Sequence, residues 1–304
     1  MPLFPEVLDP ARAAATVMSP VHCLFGLHIV RRGLLFIDLA VAQVAALGMA
    51  FALAKGFSAD NPADETKIYL YSLAFALAGS LLISVTRFRL GKVPHEAVIG
   101  IVYVVASAGA FVLLEFSPHG AEELKSLFQG NILFVQPSHV WSVAYWYGAV
   151  MVVLLLFWKP ITKVSLQTED APAGIKLVLL DVLYYSLLGF VVASSVKIAG
   201  VLVVFSWLVM PAVVAFLFVE KMSAAVIIAL PVSLIGSWLG LLLSFYAPAI
   251  ALSEEGRQAM AVAGAEVERG WPSGPSIVLA LGAIVTAAYL IRLLLPDKKP
   301  RPER

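Results

Sequence analysis

Asp38 has the clearest chemical potential in this chain. It follows Arg31-Arg32 at the head of an otherwise apolar run, and Gln43 lies five positions further on. A carboxylate deep in lipid costs roughly 2.5–3.5 kcal/mol, so a chain keeps one where it faces a water-filled path or a partner. Two readings of Asp38 stand. It contacts a substrate or cation in a translocation path, or it is a first-turn carboxylate stabilised by the helix dipole and by Arg31 or Arg32. Gln43 sits about 140° around a regular helix from Asp38, so the two share a face only if a π-bulge widens the turn. Its other reading is an interhelical hydrogen bond.

His95 and Glu96 pair a nitrogen and an oxygen donor, which suits a divalent metal. Adjacent helical residues point about 100° apart, so the pair also reads as a helix start after Pro94. Asp181 reads as a first-turn acid of a later segment. Lys197 reads as a boundary cation with a snorkelling stem. His119 and His139 fall in a loop, and His22 and His28 are six apart on different sides of one helix.

The elements that must position these groups are membrane segments. The chain has 304 residues, 61% hydrophobic and 13% charged, with a mean hydropathy of +0.91. A soluble domain carries about a quarter of charged residues. A net charge of +1 gives no support for nucleic-acid binding. The single cysteine, Cys23, excludes an intrachain disulfide and a cysteine-cluster metal site. The first residues lack a basic stretch, so no cleaved signal peptide is expected. No Gly-x-x-x-x-Gly-Lys-Ser/Thr loop is present, so any ATP is hydrolysed by a separate subunit. His-Glu-x-x-His and Gly-x-Ser-x-Gly are absent too, leaving intramembrane hydrolysis without local support.

Apolar runs predict an all-α polytopic membrane protein with about nine helices, at roughly 13–30, 38–55, 68–86, 96–115, 141–158, 177–196, 198–219, 223–246 and 274–295. Pro20, His22 and His28 make the first the weakest. One transmembrane unit spans residues 1–304. With the N-terminus outside and the C-terminus cytoplasmic, about two-thirds of the 21 Lys and Arg fall in inner loops, as the positive-inside tendency requires. Trp141, Tyr145, Trp146, Tyr147 and Trp158 read as interfacial belts at the two ends of the fifth segment. Ala42, Ala46, Ala50 and Ala54, and Gly236 with Gly240, form small-residue ridges for close helix packing.

The chain resembles the membrane subunit of the zinc/manganese/iron ABC importers along nearly its whole length. The resemblance rests on Arg31-Arg32 with Asp38, Glu96-Ala-Val-Ile-Gly100, Gly130-Asn131-Ile132-Leu133 and Leu180-Asp181. It continues through Gly200 to Pro211-Ala212 and ends with Pro272-Ser-Gly-Pro-Ser-Ile-Val-Leu279. It implies a homodimeric permease of a bacterial cytoplasmic membrane, related in fold to the vitamin B12 and siderophore importers. A cytoplasmic ABC ATPase dimer and an extracytoplasmic metal-binding protein are the implied partners. The implied cargo is a divalent metal, and the chain itself needs no bound cofactor. A short coupling helix is implied over Ser165–Gly174, with Glu169, Asp170, Ala173 and Gly174 facing the ATPase. Pro172 there departs from the family pattern and shortens such a helix.

A second departure bears on the substrate. The family carries a histidine four residues after this aspartate, where this chain has Ala42, or Gln43 if one residue is inserted. A glutamine amide is a weaker zinc ligand than imidazole. The metal therefore passes weakly bound, uses other ligands or travels as a chelate. The outer loop over 247–273 is longer than the family norm, and its Glu254, Glu255 and Arg257 read as docking or gating residues for the delivery protein. A permease of the same fold for a metallophore or organic solute remains an alternative. An ATP-independent secondary transporter is a third class, disfavoured by the scarcity of intramembrane carboxylates.

Overall fold

The computed structural model describes residues 4–58, 61–89, 93–115, 129–130, 132–251 and 271–295. Its helices are α1 (Phe4–Arg32), α2 (Ile37–Ala54), α3 (Pro62–Arg89), α4 (His95–Leu114), α5 (Pro137–Leu156), α6 (Trp158–Ser165), α7 (Ile175–Ala199), α8 (Val201–Phe218), α9 (Met222–Ala251) and α10 (Ser273–Leu294). One 3-10 turn, Ile132–Phe134, precedes α5. Among the described residues, nine helices are long and apolar enough to cross a membrane; all except the short α6 qualify.

The span weakest in hydropathy is the most buried. Helix α1 runs through the interior and packs against α5, α8 and α9, with Met18, Phe25 and Leu27 fully enclosed. Its histidines are enclosed by protein and do not face lipid, which is why the segment tolerates them. Both ring nitrogens of His22 are occupied, Nδ1 by the Met18 carbonyl at 2.8 Å and Nε2 by the Ser195 hydroxyl at 2.9 Å. The peripheral spans α4, α5 and α10 instead present Val105, Leu156 and Leu294 outward, as lipid-facing helices must.

Helix α2 lies against α3 and α4, and α3 against α7. The small-residue ridges are used within the chain. A Cβ on Gly240 would lie 2.3 Å from the Ile277 Cα, and one on Gly236 would lie 2.2 Å from the Leu281 side chain, so α9 and α10 meet on this ridge. Ala50 packs with Ala110 and Leu114 of α4.

The aromatic cluster divides. Trp141 and Tyr145 are exposed on α5 and suit an interfacial belt. Tyr147 is buried and donates to the Val191 carbonyl at 2.9 Å. Trp158 packs edge-on to His28 with ring centroids 4.6 Å apart, so it serves packing rather than a belt.

Candidate functional site

Asp38 is the second residue of α2, 1% exposed, and neither carboxylate oxygen has a hydrogen-bond partner. The first-turn N–H groups of Asp38 and Leu39 lie beside it but off hydrogen-bond geometry. Its expected partners are committed elsewhere. Arg31 donates to the Glu220 carbonyl and lies over the Phe216 ring at 4.1 Å. Arg32 pairs with Asp181, Nη1 to Oδ1, at 2.7 Å. The expectation that Arg31 or Arg32 stabilises Asp38 is therefore corrected. The reason is competition: another buried carboxylate takes the guanidinium, and Asp38 keeps only the helix dipole.

Gln43 is buried on the same helix. Residues Ile37–Ala54 form regular α-helix, so no π-bulge brings Gln43 onto the face of Asp38. His95 opens α4, and its Nε2 lies 2.9 Å from the Ile83 carbonyl, which ties α4 to α3. A carbonyl accepts only, so this nitrogen carries the proton and is closed to a metal in this arrangement. Glu96 is exposed in the first turn, so the two do not converge as a chelating pair. Among the described residues, no group of three or more His, Cys, Asp or Glu is placed to hold a metal ion.

Asp181 is not a first-turn acid. Helix α7 begins at Ile175, one turn and a half earlier, because the apolar run extends upstream to Ile175. Asp181 is fully buried and Arg32 is 3% exposed, so this is an interior ion pair. Arg32 also donates to the Tyr185 hydroxyl at 3.2 Å and, through Nε, to the Ser165 hydroxyl at 3.0 Å. Its guanidinium stacks 4.4 Å from the Tyr184 ring centre. Ser165 in turn donates to Ile161 at 2.9 Å and receives His28 Nδ1 at 3.1 Å. Since the single hydroxyl proton goes to Ile161, His28 must donate from Nδ1. The cluster joins the end of α1, the end of α6 and the second turn of α7. Sequence reasoning named His28, Arg32 and Asp181 separately and missed Ser165, Tyr184 and Tyr185. The available signal was an acid well inside an apolar run, whose burial is costly unless it is paired.

The coupling segment also needs correction. Residues 166–174 form turns, and the short helix lies earlier, at Trp158–Ser165. Ile161, Val164 and Ser165 are buried, so one face of α6 is packed inward. Gln167 with φ 52° and Gly174 with φ 60° break helical geometry on both sides of Pro172. Glu169, Asp170, Ala173 and Gly174 are exposed on this loop. Lys163 pairs with Asp170, and Thr168 donates to Asp170 at 2.8 Å. The Lys163 hydrogen bond, reinforced by Thr168, holds the Asp170 carboxyl below its usual range.

Three separate glycine motifs meet at one place. A Cβ on Gly130 would lie 2.1 Å from the Ala199 carbonyl carbon, and one on Gly274 would lie 1.9 Å from the Gln129 carbonyl oxygen. Gly200, with φ 82°, ends α7 and starts α8 in one residue. Backbone thus packs directly on backbone where the 130, 200 and 274 segments converge. Asn131, His119, Glu254, Glu255 and Arg257 lie outside the described residues. His139 is an exposed first-turn residue of α5, because the helix starts at Pro137, and so is not in a loop.

A model of the ABC 3 transport family matches residues 5–253. The chain belongs to that family. Similar members include the probable iron transport system membrane protein of Haemophilus influenzae, 25% identical over 226 residues, covering 70% of this chain and 80% of that one. The manganese transport system membrane protein MntC of Listeria monocytogenes is 23% identical, covering 78% and 81%. The high-affinity zinc uptake system membrane protein ZnuB of Haemophilus influenzae is 26% identical, covering 79% and 89%. The fold is that of PsaBC from Streptococcus pneumoniae, solved in complex with Fab, with a TM-score of 0.69 at 18% identity over 93% of this chain and 91% of that one. An inward-facing metal-chelate type ABC transporter gives 0.67 at 17% identity over 97% and 89%.

Proposed function

We propose that this ABC 3 family chain is the membrane permease subunit of an ABC importer for a divalent transition metal. The observation that carries the reading is Asp38, a buried carboxylate without a protein partner at the head of a span. A buried unpaired charge is costly, and an arriving cation would offset that cost. The family relatives named for iron, manganese and zinc transport support the same class of cargo.

The chain supplies the path, and ATP is hydrolysed by a partner. A cytoplasmic ABC ATPase dimer contacts the exposed 166–174 loop, and an extracytoplasmic metal-binding protein delivers cargo to the opposite side, where Glu254, Glu255 and Arg257 are candidate docking residues. The permease works as a homodimer in a bacterial cytoplasmic membrane, with its N-terminus outside and its C-terminus cytoplasmic. Arg32 connects the loop to the transport path. Its bonds to Ser165, just before the loop, and to Asp181, in the second turn of the helix after it, tie the two flanks of the loop to the residues just before Asp38. Gln43, His95 and Glu96 are secondary candidates for the path; His95 holds the Ile83 carbonyl through Nε2 and keeps its unprotonated Nδ1 without a hydrogen-bond partner.

The test is ATP-dependent uptake by the chain reconstituted with its ATPase and binding protein, across zinc, manganese, iron and cobalt. Uptake of one metal that is lost in Asp38→Asn, with ATPase activity and assembly retained, is the expected result. Uptake unchanged by that substitution would refute the role of Asp38. One observation favours a second reading, a metal chelate as cargo: Ala42 and Gln43 stand where an imidazole ligand is expected. ATP-dependent uptake of a chelate, with none of the free metals carried, would decide for it.

A further inference from the structure

A cavity of about 470 Å³ lies between α3, α5 and α7, apart from Asp38 and from the Arg32 cluster. Its volume falls in the usual range for small-molecule sites. Three helix ends form its polar rim. Glu65 comes from the first turn of α3, His139 from the first turn of α5 and Lys197 from the last turn of α7. Two spans that start at this edge and one that ends there thus bring together an acid, an imidazole and an ammonium. Lys197 Nζ lies 2.6 Å from Glu65 Oε1, and both side chains are about half exposed. The deeper wall is aromatic. Tyr69 is joined to Ser194 by a 3.1 Å hydroxyl hydrogen bond, and Trp146 meets Phe190 edge-on at 6.0 Å. Trp146 is 54% exposed and continues into the outward-facing Trp141 and Tyr145 of the same helix.

The chemistry narrows the occupant. A simple anion is repelled by Glu65, and a simple cation by Lys197. A molecule carrying both an ammonium and a phosphate can replace the internal pair, with ammonium on Glu65 and phosphate on Lys197. Charge-assisted hydrogen bonds of this kind are the stronger ones. The aromatic wall and its exposed continuation fit an acyl chain at the level where tryptophan and tyrosine belts contact lipid. We propose that this cavity binds the headgroup of a zwitterionic aminophospholipid, with its chains lying along Trp146. The site is independent of what the permease carries.

The full chain in detergent, stripped of lipid, is titrated with phosphatidylethanolamine, phosphatidylglycerol and soluble phosphoethanolamine, and binding is read by native mass spectrometry and thermal shift. Phosphatidylethanolamine is expected to bind and stabilise at least tenfold more strongly than phosphatidylglycerol. Glu65→Gln and Lys197→Gln should each weaken it about tenfold, as expected for loss of one charge-assisted contact. Trp146→Ala should weaken the lipid while leaving any headgroup binding unchanged. Equal binding of the two lipids, or retention unaffected by both rim substitutions, would mean ordinary annular lipid and overturn the proposal. Phosphoethanolamine binding as tightly as the lipid would overturn the lipid assignment. Both rim residues are half exposed and sit at helix ends, so the variants are expected to fold, and the unliganded melting temperature checks this.

Discussion

Removing the Asp181 carboxylate tests whether Arg32 organises the interior as described. In Asp181→Asn the guanidinium stays buried with the Ser165 hydroxyl at 3.0 Å, the Tyr185 hydroxyl at 3.2 Å and the Tyr184 ring at 4.4 Å. Those contacts hold a cation but do not neutralise it. Breaking a buried pair on one side costs about 3–5 kcal/mol. The retained cation–π stacking, worth up to about 2 kcal/mol when desolvated, places the expected loss near 3 kcal/mol. That is roughly a hundredfold in the folding equilibrium. Arg32→Met alone should cost a similar amount, because it removes the neutralising guanidinium from a fully buried carboxylate. The double variant Arg32→Met with Asp181→Leu should recover most of the loss, since apolar replacement of a buried pair is often neutral. Thermal unfolding of the parent, Arg32→Met, Asp181→Leu and the double variant in one detergent closes the cycle. A single-variant loss below about 1 kcal/mol, or a double variant that is simply additive, would refute the interior-pair account.

Gly130→Ala should destabilise the described fold, because its Cβ would meet the Ala199 backbone, and neither segment can yield cheaply; a melting temperature unchanged by this substitution would contradict the contact. Cys23 is fully buried, so a maleimide should label it only after denaturation, and rapid native labelling read by mass spectrometry would argue against the interior placement of α1. Asp170 has a lowered carboxyl pKa, so its contribution to holding the 166–174 loop should be fully present above its ordinary value near pH 4 and lost as pH falls through the lower folded value. A carboxyl titration by NMR that gives Asp170 the same midpoint in Lys163→Met as in the parent would remove Lys163 as the cause.

The nine apolar segments were legible because lipid satisfies no backbone polar group, and each span must therefore be a run of about 20 apolar residues. Their boundaries differ by a few residues, except at the starts of α1 and α3, where the helix begins at Phe4 and Pro62, well upstream of the expected 13 and 68, in more polar sequence. The position of Asp38 in the first turn of its helix was legible for the same reason. The family resemblance implies a short helix over Ser165–Gly174, whereas the helix found ends at Ser165. The local residues favour 158–165, where Ile161 and Val164 can be buried and neither Pro172 nor Gly174 intervenes.

By itself the sequence determined the membrane class, the number of spans and the presence of a few expensive polar groups, since these follow from local hydropathy and solvation. Which of those groups meet was decided by tertiary structure alone. Arg32 and Asp181 are separated by 149 positions, and Arg32 is nearer in sequence to Asp38. A guanidinium chooses among carboxylates by three-dimensional distance and by the desolvation it shares with each, neither of which is written in spacing along the chain. The same holds for the glycines. Gly130, Gly200 and Gly274 look like three unrelated turns until helix packing brings their backbones together, where a Cβ on Gly130 or Gly274 would strike neighbouring backbone and Gly200 takes a positive φ.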